Sequence, residues 1–125
     1  MVKTLSIAVT GVVAAVVCAI ALSARAPATR EIQIVARGMT FYVDGRAEAN
    51  PRLRVGRGES VRIVFRNEDP GMIHDFAIPD WGIQTQVVSG KGQTSITFSA
   101  PDRAASGTYA CTPHASMMRG TIAVE

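Results

Sequence analysis

The chain has few of the residues that build disulfide scaffolds or multi-centre metalloproteins: two cysteines, two histidines and one tryptophan in 125 residues. Cys18 lies inside an apolar run, so the remainder keeps only Cys111 and cannot form an internal disulfide. His74 and His114 are its whole complement of histidine, which leaves none for a second metal centre and argues against oxidase or nitrite-reductase chemistry within the chain. An excess of one charge is missing too. Setting aside Lys3 and Arg25, which flank the apolar run, leaves 11 basic against 10 acidic side chains. The pI near 9.3 is therefore no argument for nucleic acid. From Glu31 onward there is no convincing helical period, no internal repeat and no low-complexity tract.

What is present begins with that apolar run. Leu5 to Ala24 carries no charge and is mostly Val, Ala and Ile, long enough to cross a bilayer as one helix. Ala26-Pro27-Ala28 offers small residues at both recognition positions for cleavage after Ala28. Residues 1–28 are thus read as a cleaved signal peptide or an uncleaved membrane anchor, and residues 29–125 as one exported domain, periplasmic or on the outer face of the cytoplasmic membrane. Lipoprotein processing at Cys18 is disfavoured by the bulky Val17 before it. Export leaves Cys111 as a lone thiol in an oxidising compartment, a liability unless something occupies it.

The stretch Cys111-Thr-Pro-His114-Ala-Ser-Met117-Met118 gathers a thiolate, an imidazole and thioethers within a few residues. That combination is a metal-ligand set, and two His, one Cys and a long axial Met suit copper in an electron-transfer site. His74 is the one histidine left to complete it. Zinc is the weaker reading, because a structural zinc takes four strong ligands.

Period-two alternation runs through Ile32 and Ile34, Leu53 and Val55, Val61, Ile63 and Phe65, and Ile96 and Phe98. Turn residues separate these segments at Asp44-Gly45, Gly56-Arg-Gly58, Asp69-Pro70-Gly71, Ser89-Gly-Lys-Gly92, Pro101-Asp102 and Ser106-Gly107. Short strands at such intervals predict an all-β Greek-key sandwich of about seven to eight strands, preceded by one N-terminal apolar helix. Arg52, Arg54, Arg62 and Arg66 alternate with apolar neighbours and read as the solvated faces of strands.

The run Asn50 to Asn67, then His74, then Gly107-Thr-Tyr-Ala-Cys111-Thr-Pro-His114, then Met118-Arg-Gly-Thr-Ile-Ala-Val resembles the cupredoxins, small blue copper proteins of the plastocyanin, amicyanin and pseudoazurin kind. The resemblance implies one type 1 copper ion, cycling between Cu(II) and Cu(I), held by His74, Cys111, His114 and Met118. It favours Met118 over Met117 as the axial ligand, because the family's axial Met is followed by one residue and then a Gly. It also implies that the residue after the first His, here Asp75, ties the ligand loops together and directs its N–H to the Cys sulfur. Pro113 has no N–H for a second such bond. The function implied is transfer of single electrons outside the cytoplasm by a non-enzymatic monomer. Redox proteins would dock briefly near His114, on a patch drawn from Met39, Met72, Pro113, Ala115 and Met117. The alternative is a copper carrier or storage protein without electron-transfer turnover. Trp81 and Tyr109 are expected to be packing residues.

Overall fold

The computed structural model describes residues 26–125. The apolar run, the helix expected for it and Cys18 lie outside these residues. Among the described residues no helix is long and apolar enough to cross a membrane.

Two sheets face each other. The first has the order β2-β1-β4-β9, from β1 (Arg30–Ala36), β2 (Phe41–Val43), β4 (Ser60–Asn67) and β9 (Gly92–Ser99). The second has the order β3-β11-β10-β6-β7, from β3 (Leu53–Val55), β6 (Ala77–Ile78), β7 (Ile83–Gln84), β10 (Ala105–Ala110) and β11 (Arg119–Val124). A separate two-stranded ribbon pairs β5 (Ile73–His74) with β8 (Val88–Ser89). The seven strands of three or more residues form the frame, in line with the expected number, and the two-residue pieces decorate one end.

The alternation in the sequence is spent as predicted in β4. Val61, Ile63 and Phe65 are buried, whereas Arg62 is exposed. Arg52 and Arg54 also project into solvent. Arg66 departs from that pattern: it is half-buried, 3.0 Å from Asp44 and 3.1 Å from Glu68. Both sheets contain a parallel pair. β1 runs beside β4 from Arg30↔Val61 to Ala36↔Asn67, and β3 runs beside β11. Consequently β1 and β4 finish at the same end of the sandwich. There β10 also ends and β11 begins, separated by the Cys111–Met118 segment.

An aromatic cluster joins the sheets. The ring of Phe41 lies edge-on to Phe65, Phe76 and Tyr109 at 6.1, 5.7 and 5.6 Å, and Tyr109 stacks on Phe76 at 5.3 Å. The buried Tyr109 hydroxyl donates to the Pro51 carbonyl at 2.6 Å. Trp81 packs 6.3 Å from Phe98. Both are packing residues, as expected.

Burial, with a smaller contribution from the charge of Glu48, pushes the Tyr109 phenol well above its ordinary value. The folded form therefore keeps a proton that the unfolded chain gives up from about pH 10 upward. Stability is complete below that pH and falls as pH rises through the alkaline range. Thermal melts of the wild type should show this decline, and Tyr109→Phe should flatten it while costing about 1–3 kcal/mol for the Pro51 carbonyl left without a donor. An equal alkaline slope in both proteins would refute the assignment.

Candidate metal centre

Two loops at the end where β1, β4 and β10 finish bring the chemistry together. Cys111 leaves β10, and a 3₁₀ turn over Thr112–His114 follows it. Pro113 suits the first turn because its missing N–H would have no partner there. The loop closes through its own backbone. The N–H of His114 donates to the Cys111 carbonyl, those of Met117 and Met118 donate to the His114 carbonyl, and that of Cys111 donates to Met118, all at 2.9–3.0 Å. His74 is carried in from the other side by β5.

His74, Cys111 and His114 come together, with one ligand atom from each lying within 4.8 Å of the others. The Nδ1 atoms of both rings sit 3.5 Å from the Cys111 sulfur. The rings meet edge-on, 5.1 Å apart. His74 and Cys111 are fully buried and His114 is partly exposed. The two candidate methionines separate cleanly: Met118 is 0% exposed and Met117 59%.

The supporting contacts follow the same economy. Both carboxylate oxygens of the buried Asp75 accept hydrogen bonds, Oδ1 from the Thr112 N–H at 2.6 Å and Oδ2 from Gln84 Nε2 at 2.9 Å. Asp75 thereby ties the His74 loop to the Cys111 loop, as the resemblance implied. Burial pushes the Cys111 thiol up, the Asp75 backbone N–H opposes this, and the Asp75 charge adds to it. The His114 N–H is given to the Cys111 carbonyl at 3.0 Å, and Pro113 has none to give. A thiol held up in this way gives up its proton when a metal binds.

Sequence reasoning missed two contributors. Asp69, read only as turn punctuation, lies 3.0 Å from His74 Nε2. Asn67, at the end of β4 and 1% exposed, donates to the Met72 and Val88 carbonyls at 2.9 and 3.1 Å and accepts from the Asp69 N–H at 2.9 Å. Asn67 and Asp69 stand seven and five residues before His74, a spacing that carries no signal by itself.

The donor set decides which metal fits. One thiolate and two imidazoles converge with no carboxylate among them, and a buried thioether stands on the same loop. Hard oxygen-seeking ions are unsuited to it, structural zinc lacks a fourth strong ligand, and His74, Cys111, His114 and Met118 fit a single type 1 copper site.

Comparison with known proteins agrees. Residues 10–124 match the Cupredoxin-like domain. Auracyanin A, a blue copper protein of Chloroflexus aurantiacus, superposes with a TM-score of 0.64 at 21% identity, over 78% of this chain and 100% of its own. A rusticyanin variant gives 0.62 at 21% identity, over 81% and 80%. Reduced auracyanin from Roseiflexus castenholzii gives 0.61 at 17% identity, over 80% and 99%. No curated protein sequence matches the chain significantly.

Proposed function

The chain belongs to the cupredoxin-like family, and from that premise we propose that it carries single electrons between redox proteins outside the cytoplasm. It would do so through one type 1 copper ion held by His74, Cys111, His114 and Met118. The observation that carries this reading is the convergence of both Nδ1 atoms on the buried sulfur, at 3.5 Å each. Bound copper would supply one-electron exchange between Cu(II) and Cu(I). The residues around it hold the geometry still and keep water out, so little has to rearrange when charge changes. Asp75 locks the two loops, and the backbone closure of residues 111–118 fixes three of the four proposed ligands on one rigid turn.

His114 alone of the cluster reaches the surface, which suits it as the route for electrons. Pro113, Ala115 and Met117 are exposed around it, and Ile73 and Val87 add apolar surface at 45% and 52% exposure beside the His74 strand. An apolar rim of this kind suits brief docking with quick release. Export, with residues 1–28 as leader or anchor, rests on the apolar run from Leu5 to Ala24. The chain acts as a monomer and catalyses no reaction of its own. Storage or delivery of copper is disfavoured by the burial of His74, Cys111 and Met118, since a metal to be handed over needs ligands that can open.

The test is the visible spectrum of the chain loaded with Cu(II), followed by titration with a mild reductant. An intense thiolate charge-transfer band that bleaches and returns at constant copper content supports the shuttle. A pale spectrum, or copper lost on reduction, overturns it.

Asp75→Asn bears on how the potential is set. An asparagine keeps the acceptor for the Thr112 N–H, and Gln84 can turn its amide to offer an oxygen, so the loops stay joined. What is lost is a negative charge beside the thiolate, which favours Cu(II). The potential should rise, by about 60 mV for each tenfold change in preference between the two oxidation states. Redox titration of the visible band checks it, and a potential that stays or falls rejects the role.

A further inference from the structure

We infer that Asp69 is a positioning residue of the centre: its carboxylate fixes the ring of His74 and fastens it to the hairpin turn between β1 and β2. The inference rests on the copper reading above only for its effect on metal binding. The placement of the ring stands without it.

The turn is the first element. Gly38 and Met39 both have left-handed backbones, with φ of 58° and 59°, and the Arg37 N–H donates to the Thr40 carbonyl at 2.9 Å. Two positive φ values in a two-residue connection make a type I′ hairpin, a place usually given to Gly or Asn. A methionine held there is strained. The conformation points both N–H groups at one acceptor. Asp69 Oδ1 takes that of Gly38 at 2.7 Å and Oδ2 takes that of Met39 at 3.2 Å. These N–H bonds and His74 outweigh the cost of burying the Asp69 carboxyl and hold it below its ordinary range.

The ring is the second element. His74 Nε2 shares Oδ2 with Met39, at 3.0 Å. Backbone N–H groups only donate, so the oxygens facing them are acceptors, and Nε2 must carry the hydrogen. The lone pair of the neutral ring is then on Nδ1, the atom turned toward the Cys111 sulfur. The ring is fully buried, so no solvent contact could replace this orientation. The third element is Asn67, whose Oδ1 accepts the Asp69 N–H and whose amide holds the Met72 and Val88 carbonyls on either side of His74. Asp69 is therefore fixed through its backbone as well as through its carboxylate. The lever reaches a turn 31 residues upstream of Asp69.

Long-range proton–nitrogen correlation spectra of the metal-free full chain, at mildly alkaline pH, read the ring directly. The wild type should show His74 as the Nε2–H tautomer alone. In Asp69→Ala no acceptor faces Nε2, so that single tautomer should be lost. Cu(II) affinity, measured by competition with a chelator, should fall by about 10–100-fold. Met39→Gly keeps both N–H donors and should leave the tautomer as in the wild type. An unchanged tautomer in Asp69→Ala, even with weakened copper binding, would reduce Asp69 to a structural role and overturn the inference. If that variant does not fold, an Nδ1–H tautomer in the wild type overturns it alone. Failure of the wild type to form a blue copper site would instead count against the proposed function and leave the tautomer result standing.

Discussion

Cys111→Ala is expected to abolish the visible charge-transfer band completely, because that band belongs to the bond between the thiolate and Cu(II). Copper affinity should also fall by more than the roughly 10–100-fold that loss of an outer partner costs. The reason is local: Cys111 is the one free cysteine among the described residues, and the cluster within ligand distance is limited to His74, Cys111 and His114. Among the described residues no second thiol stands ready to take its place. The fold should survive, since the substitution removes a single buried sulfur atom and leaves the closure of residues 111–118, which is made by backbone, in place. A destabilisation of about 1 kcal/mol is reasonable for so small a cavity. Circular dichroism melts beside the absorption spectra separate loss of the ligand from loss of the fold. An intense band that persists in the variant would remove Cys111 from the site.

Gly120→Ala should be the most damaging single methyl group in the domain. Gly120 pairs directly with Tyr109 across β10 and β11, and the tyrosine ring lies over the glycine. A Cβ at Gly120 would fall 2.7 Å from Tyr109 Cε1 and closer still to Cζ and Oη. The ring has nowhere to go. It is stacked on Phe76, edge-on to Phe41 and held by its hydroxyl to the Pro51 carbonyl. Relief of the clash must displace that cluster or open the β10–β11 ladder. Overpacking of about 1–3 kcal/mol, together with loss of the buried hydroxyl bond at about 1–3 kcal/mol, gives a cost of roughly 2–6 kcal/mol. Against a typical stability of about 5–15 kcal/mol, a cost of that size would leave a domain at the low end of the range partly unfolded at ambient temperature. Urea denaturation followed by fluorescence checks it, and a change under about 1 kcal/mol would mean the ring yields more easily than its neighbours suggest.

These two residues show what could be read from sequence and what could not. Cys111 declares itself, since a soft ligand three residues from an imidazole is chemistry written locally. Strand faces such as Val61, Ile63 and Phe65 are legible for the same reason, as period two needs only neighbours. Gly120 was legible only as the residue that opens the last strand. Its requirement comes from Tyr109, which meets it through pairing, and its own φ gives no hint. Parallel pairing of β1 with β4 was equally out of reach, because it joins segments 31 residues apart with no turn to announce them. Arg66 looked like its solvated neighbours until Asp44 and Glu68 closed on it. Asp69 carried the ordinary signature of a turn, and its partners lie on a hairpin that the sequence does not mark.

The direction of β1 has one more consequence. The chain enters the sandwich at Arg30 and needs all seven residues of that strand, about 20 Å at about 3.3 Å per residue, to reach the end where His74 and Cys111 sit. Any tether made through the residues before Arg30 therefore grips the domain by its foot. With such a tether the metal site would lie at the opposite end, and a partner could meet His114 without touching it.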